Sequence, residues 1–445
     1  MTAREAALMS LGEFRRNKRA GYARDLLQTR PGIAPCDRAL AMRIFLGVLQ
    51  NMMLCDYYAA QFSSMDLRKI EHRVLDILRL SIYQIVFLSK IPHSAAVNEG
   101  VALTKRYANP RAAGYVNAIL RNISNAAQHS SLPEITGDPI RRLSVGYSHP
   151  EWLVRELSSF LSQSDTESFL AACNDADTSV TAQVNTLLTD TDTALRALHA
   201  ENIEAKAHAS LEGCIEIVDS SGIMRSKAFN KGYIYIQDVS SRFAVVAASP
   251  GPGDSVLDGC AAPGGKSFAA AIAMKGTGRI IACDRNAAKL QKIKDGCKRL
   301  GIDIITTCER DSSTERDEAD SNLHGEYDAV LADVPCSGFG VIRKKPDIRY
   351  KSISDIEGLP KIQKDILYGT STFVKPGGVL VYSTCTVFRQ ENEDVIEWFL
   401  NKNSGFSTEG FSLPGIGQIP DGYITLWPHI HGTDGFFICK LRRQL

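Results

Sequence analysis

Residues 254–267, which read DSVLDGCAAPGGKS, constrain the chain more than any other stretch. Ser255, Val256 and Leu257 form an apolar run ending in Asp258, the signature of a buried strand at its C-terminal end. Gly259 to Gly265 is too rich in glycine, and too interrupted by Pro263, for a regular element. From Ser267 the residues favour helix again, stopping at Gly276. Strand, glycine loop and helix together present backbone N–H groups and a helix N-terminus to a ligand. Three readings compete: a tight βα turn that binds nothing, a nucleotide-triphosphate loop, and a loop for S-adenosylmethionine. Lys266 and Ser267 fit the triphosphate pattern, but the glycine it requires is replaced by Cys260.

The sequence after the loop alternates between strand and helix. RIIAC (279–283) predicts a strand ending at Asp284, followed by a helix over 287–300. DIITT (303–307) predicts the next strand, with Asp311 just beyond, and YDAVLA (327–332) another that ends at Asp333. A helix over 355–373 precedes the strand VLVYS (379–383). Alternation of this kind makes a mainly parallel sheet with helices on both faces. Asp284, Asp311, Asp333 and Cys385 then gather at one edge, where such sheets bind ligands. Asp284, about 20 residues past the loop, is placed to take a ribose diol, or to cap the following helix. Asp311 is placed to reach an adenine amino group, or is a solvated acid in the acidic segment 309–326.

Net charge adds a second constraint. The whole chain carries only +1, yet residues 1–125 hold 18 Lys and Arg against 9 Asp and Glu, and the remainder 33 against 41. A basic front joined to an acidic remainder suggests a polyanionic partner for the front. Val74, Ile77, Leu78, Ile82 and Ile85 recur at helical spacing there, as do Val116, Ile119, Leu120 and Ile123. Residues 126–146, rich in Ser, Pro, Gly and His, read as a linker. Beyond it, helical stretches (151–162, 165–173, 190–200) alternate with strand-like runs at Val180–Leu187 and Cys214–Val218. Eleven cysteines without a C-x-x-C pair argue against a disulfide framework or zinc site. The N-terminus has no apolar signal core, and no run approaches the ~20 residues of a membrane span. A cytoplasmic, monomeric protein without metal or membrane partner is expected.

ADVPCSGFG (332–340) and VYSTCTV (381–387) each place a cysteine in a polar turn just after a strand. A structural cysteine sits more often among apolar neighbours. Thiols suit the methylation of cytosine. Carbon 5 is too electron-poor to take a methyl group from a sulfonium directly, but a thiolate adding to carbon 6 makes it nucleophilic. An acid on ring nitrogen 3 stabilises the charge that develops, and a second group assists release. Spacing alone does not rank Cys336 and Cys385.

CAAPGGKS, DVPCSG, VIRKKPDIRY and STCT together resemble the Sun-type RNA 5-methylcytosine methyltransferases. AQVNTL (182–187) and GYIYIQDVSS (232–241) resemble stretches that precede their catalytic domain. Residues 91–123, with Glu99 and Asn117, resemble the NusB-like RNA-binding domain that fronts the branch acting on 16S ribosomal RNA of the small subunit. The resemblance implies that Cys260, Ala261, Ala262, Pro263, Gly264, Gly265, Lys266, Asp284, Asp311 and Asp333 contact S-adenosylmethionine, with Asp333 also near the cytosine. It makes Cys385 the nucleophile and Cys336 the group that helps release product. Lys344, Lys345 and Arg349 are expected to touch phosphates. Phe339 and Tyr350 replace the family's usual Thr and Trp, and both are expected to flank the RNA. The expected architecture is multidomain. An all-α NusB-like domain spans 1–127, a small α+β subdomain 147–233, and an α/β Rossmann-like methyltransferase domain 234–445. A DNA-type enzyme attacking through Cys336, an enzyme acting on another RNA such as tRNA, and an RNA-binding assembly or antitermination factor are the alternatives.

Overall fold

The computed structural model describes every residue except 176–179, 219–221, 316–322 and 324–325. Half of the acidic segment 309–326 therefore lies outside the described residues. The chain divides into two compact units, one of Met1–Asn174 with Ile342–Lys351, the other of Asp175–Val341 with Ser352–Leu445.

The first unit is helical. Its helices are α1 (Ala3–Asn17), α2 (Ala20–Thr29), α3 (Pro35–Gln61), α4 (His72–Phe87), α5 (His93–Tyr107), α6 (Ala113–Gln128), α7 (Pro139–Gly146), α8 (Glu151–Ser158) and α9 (Gln163–Ala172). Both apolar stripes read from the sequence, on α4 and α6, are buried in one core. Among the described residues α3 alone has the length and composition to cross a membrane, a property the sequence reading missed. Here its Ile44, Phe45, Val48 and Leu49 are fully buried in that core. The stretch 126–146, expected as a linker, instead carries the last residues of α6 and the whole of α7. Asp138 caps α7 by accepting from the Arg141 N–H at 2.8 Å, with Pro139 at its first turn, where a missing N–H costs nothing.

The segment 342–351 is built into this helical unit. It forms a short 3-10 turn, Pro346–Tyr350. Asp347 accepts the Ala20 N–H at 3.2 Å. The Tyr350 hydroxyl donates to the Leu49 carbonyl, and its ring meets Phe14 edge-on at 6.1 Å. Arg349 is 0 % exposed. Its guanidinium donates to the carbonyls of Gln50 (2.6 Å), Ser148 (3.2 Å) and Cys173 (3.4 Å) and to Asn174 Oδ1 (2.9 Å).

The second unit holds two main sheets. Strands β1 (Val180–Val184), β2 (Ala205–Ala207), β3 (Cys214–Ile217) and β4 (Ile234–Ile236) make an antiparallel sheet in the order β2-β3-β1-β4. Helix α10 (Thr191–His199) packs on it through Ala194 and Leu198, and α11 (Lys227–Asn230) through Ala228.

The larger sheet follows α12 (Val239–Ala248). In chain order it comprises β5 (Ser255–Asp258), α13 (Gly265–Ala273), β6 (Arg279–Asp284), α14 (Ala287–Leu300), β7 (Ile305–Glu309), β8 (Tyr327–Asp333), α15 (Leu359–Ser371), β9 (Val374–Thr384), α16 (Glu393–Lys402) and β10 (Phe406–Thr408). A small hairpin of β11 (Phe411–Leu413) and β12 (Gly417–Ile419) precedes β13 (Tyr423–Leu426), α17 (Pro428–His431) and β14 (Phe436–Arg443). The order is β10-β14-β9-β8-β5-β6-β7, with β13 also on β14. Strands β5 to β9 are mutually parallel, and β14 closes the sheet antiparallel to β9. Along β8, Ala329 and Leu331 join the core under α12 and α13, while Val330 and Ala332 join the core under α15 and α16. That period of two is what burial on both faces of a strand requires. The chain runs outward from β5 through β6 to β7, then returns to lay β8 and β9 on β5's other side. The reversal leaves a crevice beyond the C-terminal ends of β5 and β8.

Candidate active site

A cleft of about 380 Å³ opens at this reversal, lined from β5 by Gly259, Cys260 and Ala262, from β6 by Asp284, from β7 by Asp311, from β8 by Asp333 and Cys336, and from β9 by Cys385. Asp284 and Asp333 end their strands and the others lie within four residues of a strand end, so the sheet register brings them together. The size falls within the range of small-molecule sites.

The glycine loop is fixed from behind. Gly264 has φ +111°, a conformation side chains other than glycine rarely adopt, and a Cβ there would lie 2.5 Å from the Phe268 ring. The Ser312 hydroxyl donates to the Gly259 carbonyl at 2.5 Å, tying the loop after β7 to the loop after β5. Asp258 is buried and accepts from the Ser267 hydroxyl at 2.7 Å. Burial pushes its carboxyl up to about 6, against the opposing pull of Ser267 and Lys266.

Lys266 lies behind the cleft rather than in its lining. Only 7 % exposed, it makes an ion pair with Asp333 at 2.8 Å, donates to the Ser241 hydroxyl at 2.9 Å and sits over the Phe436 ring at 5.2 Å. Asp333 also accepts from the Ser383 hydroxyl at 2.8 Å. Asp284 is buried and accepts the Asn286 N–H at 2.9 Å, while Asn286 itself caps α14. Asp311 accepts from the Ser313 hydroxyl (2.7 Å) and N–H (3.0 Å), and these bonds hold its carboxyl below the usual range. Ala261, Pro263, Gly264 and Gly265 are absent from the lining.

The two thiols meet. Cys336 Sγ and Cys385 Sγ are 3.0 Å apart, and the Cys385 N–H donates to Cys336 Sγ at 3.2 Å. The Cys385 side chain first, then burial, push the Cys336 thiol well above its ordinary value. The backbone of Cys385 is held too: its carbonyl accepts the Gly340 N–H at 3.0 Å. Gly340 in turn packs so closely on Gly435 that a Cβ would lie 1.8 Å from the Gly435 oxygen.

Several residues read from the sequence as RNA-facing are elsewhere. Arg349 is buried in the helical unit, with its guanidinium on carbonyls and an amide oxygen. Phe339 is fully buried against Phe388, ring centroids 5.0 Å apart, and Tyr350 packs on Phe14. Phe339 has no exposed surface, and Tyr350 is half-buried against the core of the helical unit. Of the basic turn, Lys345 is exposed and Lys344 half-buried. The sequence reading also missed Arg285, Lys289, Arg310 and Ile362 in the cleft wall. Arg285 and Lys289 follow Asp284 at helical spacing, which was the available signal. Arg310 is buried, stacks over Phe373 at 4.7 Å and donates to the carbonyls of Asp311, Thr314 and Glu315.

A parallel sheet with a glycine loop, strand-end carboxylates and paired thiols defines a Rossmann-like methyltransferase domain. Residues 245–442 match the 16S rRNA methyltransferase RsmB/F family, 1–125 the NusB family, and 149–223 the ferredoxin-like domain of RsmF/B-like methyltransferases. The probable ribosomal RNA small subunit methyltransferase B of Bacillus subtilis is 36% identical over 92% of this chain and 91% of its own. That of Synechocystis is 31% identical over the full length of both. The chain therefore belongs to the ribosomal RNA small subunit methyltransferase B family. Among solved structures, the crystal structure of PH0851 matches with a TM-score of 0.80 and 26% identity, covering 98% of this chain and 97% of that one. NSun6 from Pyrococcus horikoshii, crystallised with SFG, shares the fold at a TM-score of 0.58 and 22% identity, over 66% of this chain and 98% of its own.

Proposed function

We propose that this protein methylates carbon 5 of a cytosine in 16S ribosomal RNA, with S-adenosylmethionine as donor and a cysteine adduct at carbon 6. The observation that carries the reading is the contact of two strand-end thiols beside Asp333, on the edge that also holds the glycine loop. A phosphate-binding role for that loop is disfavoured because Lys266, which would have to reach a phosphate, is buried on Asp333. The cleft instead offers carboxylates at successive strand ends, acceptors suited to the hydroxyl and amino groups of a nucleoside. Asp284 takes the ribose hydroxyls, Asp311 the adenine amino group, and Gly259 to Ala262 approach through backbone. Bound S-adenosylmethionine supplies an electrophilic methyl group on its sulfonium.

Cys385 is the attacking thiolate. Its sulfur bonds to carbon 6, and Asp333, entering the step as the acid with the Lys266 ammonium beside it, donates its proton to ring nitrogen 3 as charge accumulates there and recovers it on elimination. Carbon 5, now electron-rich, would take the methyl group, the sulfonium's S–CH3 bond breaking and its pair remaining on the thioether S-adenosylhomocysteine. The carbon 5 proton is then lost to water, the sulfur–carbon 6 bond breaks, and its electron pair returns to Cys385. The Cys336 thiol, held protonated against Cys385, stabilises that departing thiolate. A cytoplasmic location follows from such a substrate.

Bisulfite sequencing of 16S ribosomal RNA from cells with and without the gene tests the reading. A single cytosine that loses its resistance to conversion is expected. An unchanged pattern at every cytosine refutes it.

A further inference from the structure

Beside the two thiols lies a buried polar cluster that the proposed reaction does not use. Glu391 is 1 % exposed. Its carboxylate accepts the Ser337 N–H at 2.8 Å, the Ser337 hydroxyl, and the Gln363 amide at 2.8 Å. The same Gln363 nitrogen donates to the Pro335 carbonyl at 3.0 Å. One carboxylate thus grips the turn on both sides of Cys336, directly at Ser337 and through Gln363 at Pro335.

The neighbouring residue grips the other turn. Asn392, 0 % exposed, accepts from the Thr384 hydroxyl at 2.6 Å and donates to the Thr386 carbonyl at 3.2 Å. Thr384 and Thr386 flank Cys385. The pair is itself anchored, since the Tyr382 hydroxyl donates to the Glu391 carbonyl at 2.5 Å. The two turns are also joined directly, Ser337 and Thr386 hydroxyls lying 2.8 Å apart. Adjacent residues on one short segment therefore set the positions of both cysteine turns.

We propose that Glu391 is a positioning residue for the methyl transfer, fixing the Pro335–Ser337 turn so that the Cys336 sulfur stays against Cys385. It touches neither substrate nor cofactor. A buried, charged acceptor bonded three times holds a turn more tightly than neutral bonds do. The charge acts in the same sense as the geometry. Cys336 is faced by Cys385, Glu391 and Asp333, each of which disfavours a thiolate there, while the Cys385 N–H favours it. Glu391 thereby keeps the proton on Cys336 and leaves the anion to Cys385. The inference rests on the two-thiol reading above.

The test does not need RNA. Full-length protein is treated with iodoacetamide across a pH series, and alkylation of Cys336 and Cys385 is followed separately by peptide mass spectrometry. In the wild type Cys385 is expected to react first. In Glu391→Gln the Cys336 rate should rise about tenfold at neutral pH, its profile moving to lower pH, because the thiolate fraction governs the rate. Gln363→Ala, which leaves the carboxylate in place and frees only the Pro335 side, should give a smaller change of the same sign; it serves if Glu391→Gln does not fold. Glu391→Asp should restore the wild-type order. In a methylation assay Glu391→Gln should lower kcat while KM for S-adenosylmethionine stays within about twofold, as for a residue acting in the chemical step. An unchanged Cys336 rate in both Glu391→Gln and Gln363→Ala overturns the proposal. Failure of the wild type to methylate cytosine refutes instead the reaction assigned above, and leaves the alkylation result to be read on its own.

Discussion

Cys336 and Cys385 are hydrogen-bonded twice over, sulfur to sulfur at 3.0 Å and Cys385 N–H to Cys336 sulfur at 3.2 Å. The relationship is asymmetric. Cys336 receives the backbone donor, while the Cys385 side chain and then burial push its thiol up, which favours keeping the proton on Cys336.

This asymmetry separates the two single mutants. Cys385→Ala should abolish both methylation and any RNA-linked band on denaturing gels. Cys336→Ala should still form the adduct and release it slowly, accumulating that band in the presence of cofactor and RNA. A DNA-type mechanism gives the reverse pattern.

Cofactor choice follows from the loop. Calorimetry should show S-adenosylmethionine or S-adenosylhomocysteine binding, weakened roughly tenfold or more in Asp284→Ala by loss of a charged acceptor worth about 1.5–3 kcal/mol. ATP should not bind. Micromolar ATP affinity without response to the sulfonium ligand would contradict the assignment.

Asp258 predicts a pH dependence of stability. Its folded carboxyl titrates near 6, above the unfolded value of 3.8, so the folded state holds more protons between these values. Stability from this group is therefore fully present at low pH and is lost as pH rises toward 6, by on the order of 1 kcal/mol between pH 5 and 7. Asp258→Asn should flatten that part of the profile, measured by urea unfolding of the full chain. An identical slope in the mutant would mean that Ser267 and Lys266 fully offset the burial.

Arg349 distinguishes a structural role from an RNA contact. Arg349→Met should lower stability by about 1–3 kcal/mol, the cost of leaving buried carbonyl acceptors without their donor. Arg349→Lys keeps the charge but not the fork, and should leave the salt dependence of RNA binding unchanged. Lys18→Gln with Arg19→Gln, both exposed on the basic helical unit, should instead reduce the log–log salt slope by about 1–2. A reduced slope in Arg349→Lys would return that residue to the RNA surface.

The parts of this site that were legible in the sequence are those where local pattern and tertiary position coincide. An apolar run ending in an acid, as in RIIACD, marks both a strand and the edge it points to. Asp284, Asp333, Cys336 and Cys385 follow from that rule, and the structure places all four around one cleft. Arg349 was misread because KKPDIRY has the composition of a solvated basic turn. Its acceptors, on Gln50, Ser148, Cys173 and Asn174, are distant in sequence, and a bare carbonyl leaves no trace in the residue type. Glu391 was invisible for a related reason. Between Gln390 and Asn392 it looks like any polar connection, and only the packing of α15 and the two cysteine turns makes it buried.

The placement of residues 342–351 within the helical unit has a consequence for the order of events at the ribosome. Helices α1 to α9 are complete at residue 174, but the unit lacks Arg349 and Tyr350 until residue 351 has been made. Roughly 170 residues at about 5–20 residues per second is on the order of 10–30 s. Throughout that interval the carbonyls of Gln50, Ser148 and Cys173 lack the donor they have in the complete chain. Synonymous codons that slow translation of 175–341 should therefore prolong the protease sensitivity of the nascent helical unit, whereas slow codons after 351 should have no effect on it.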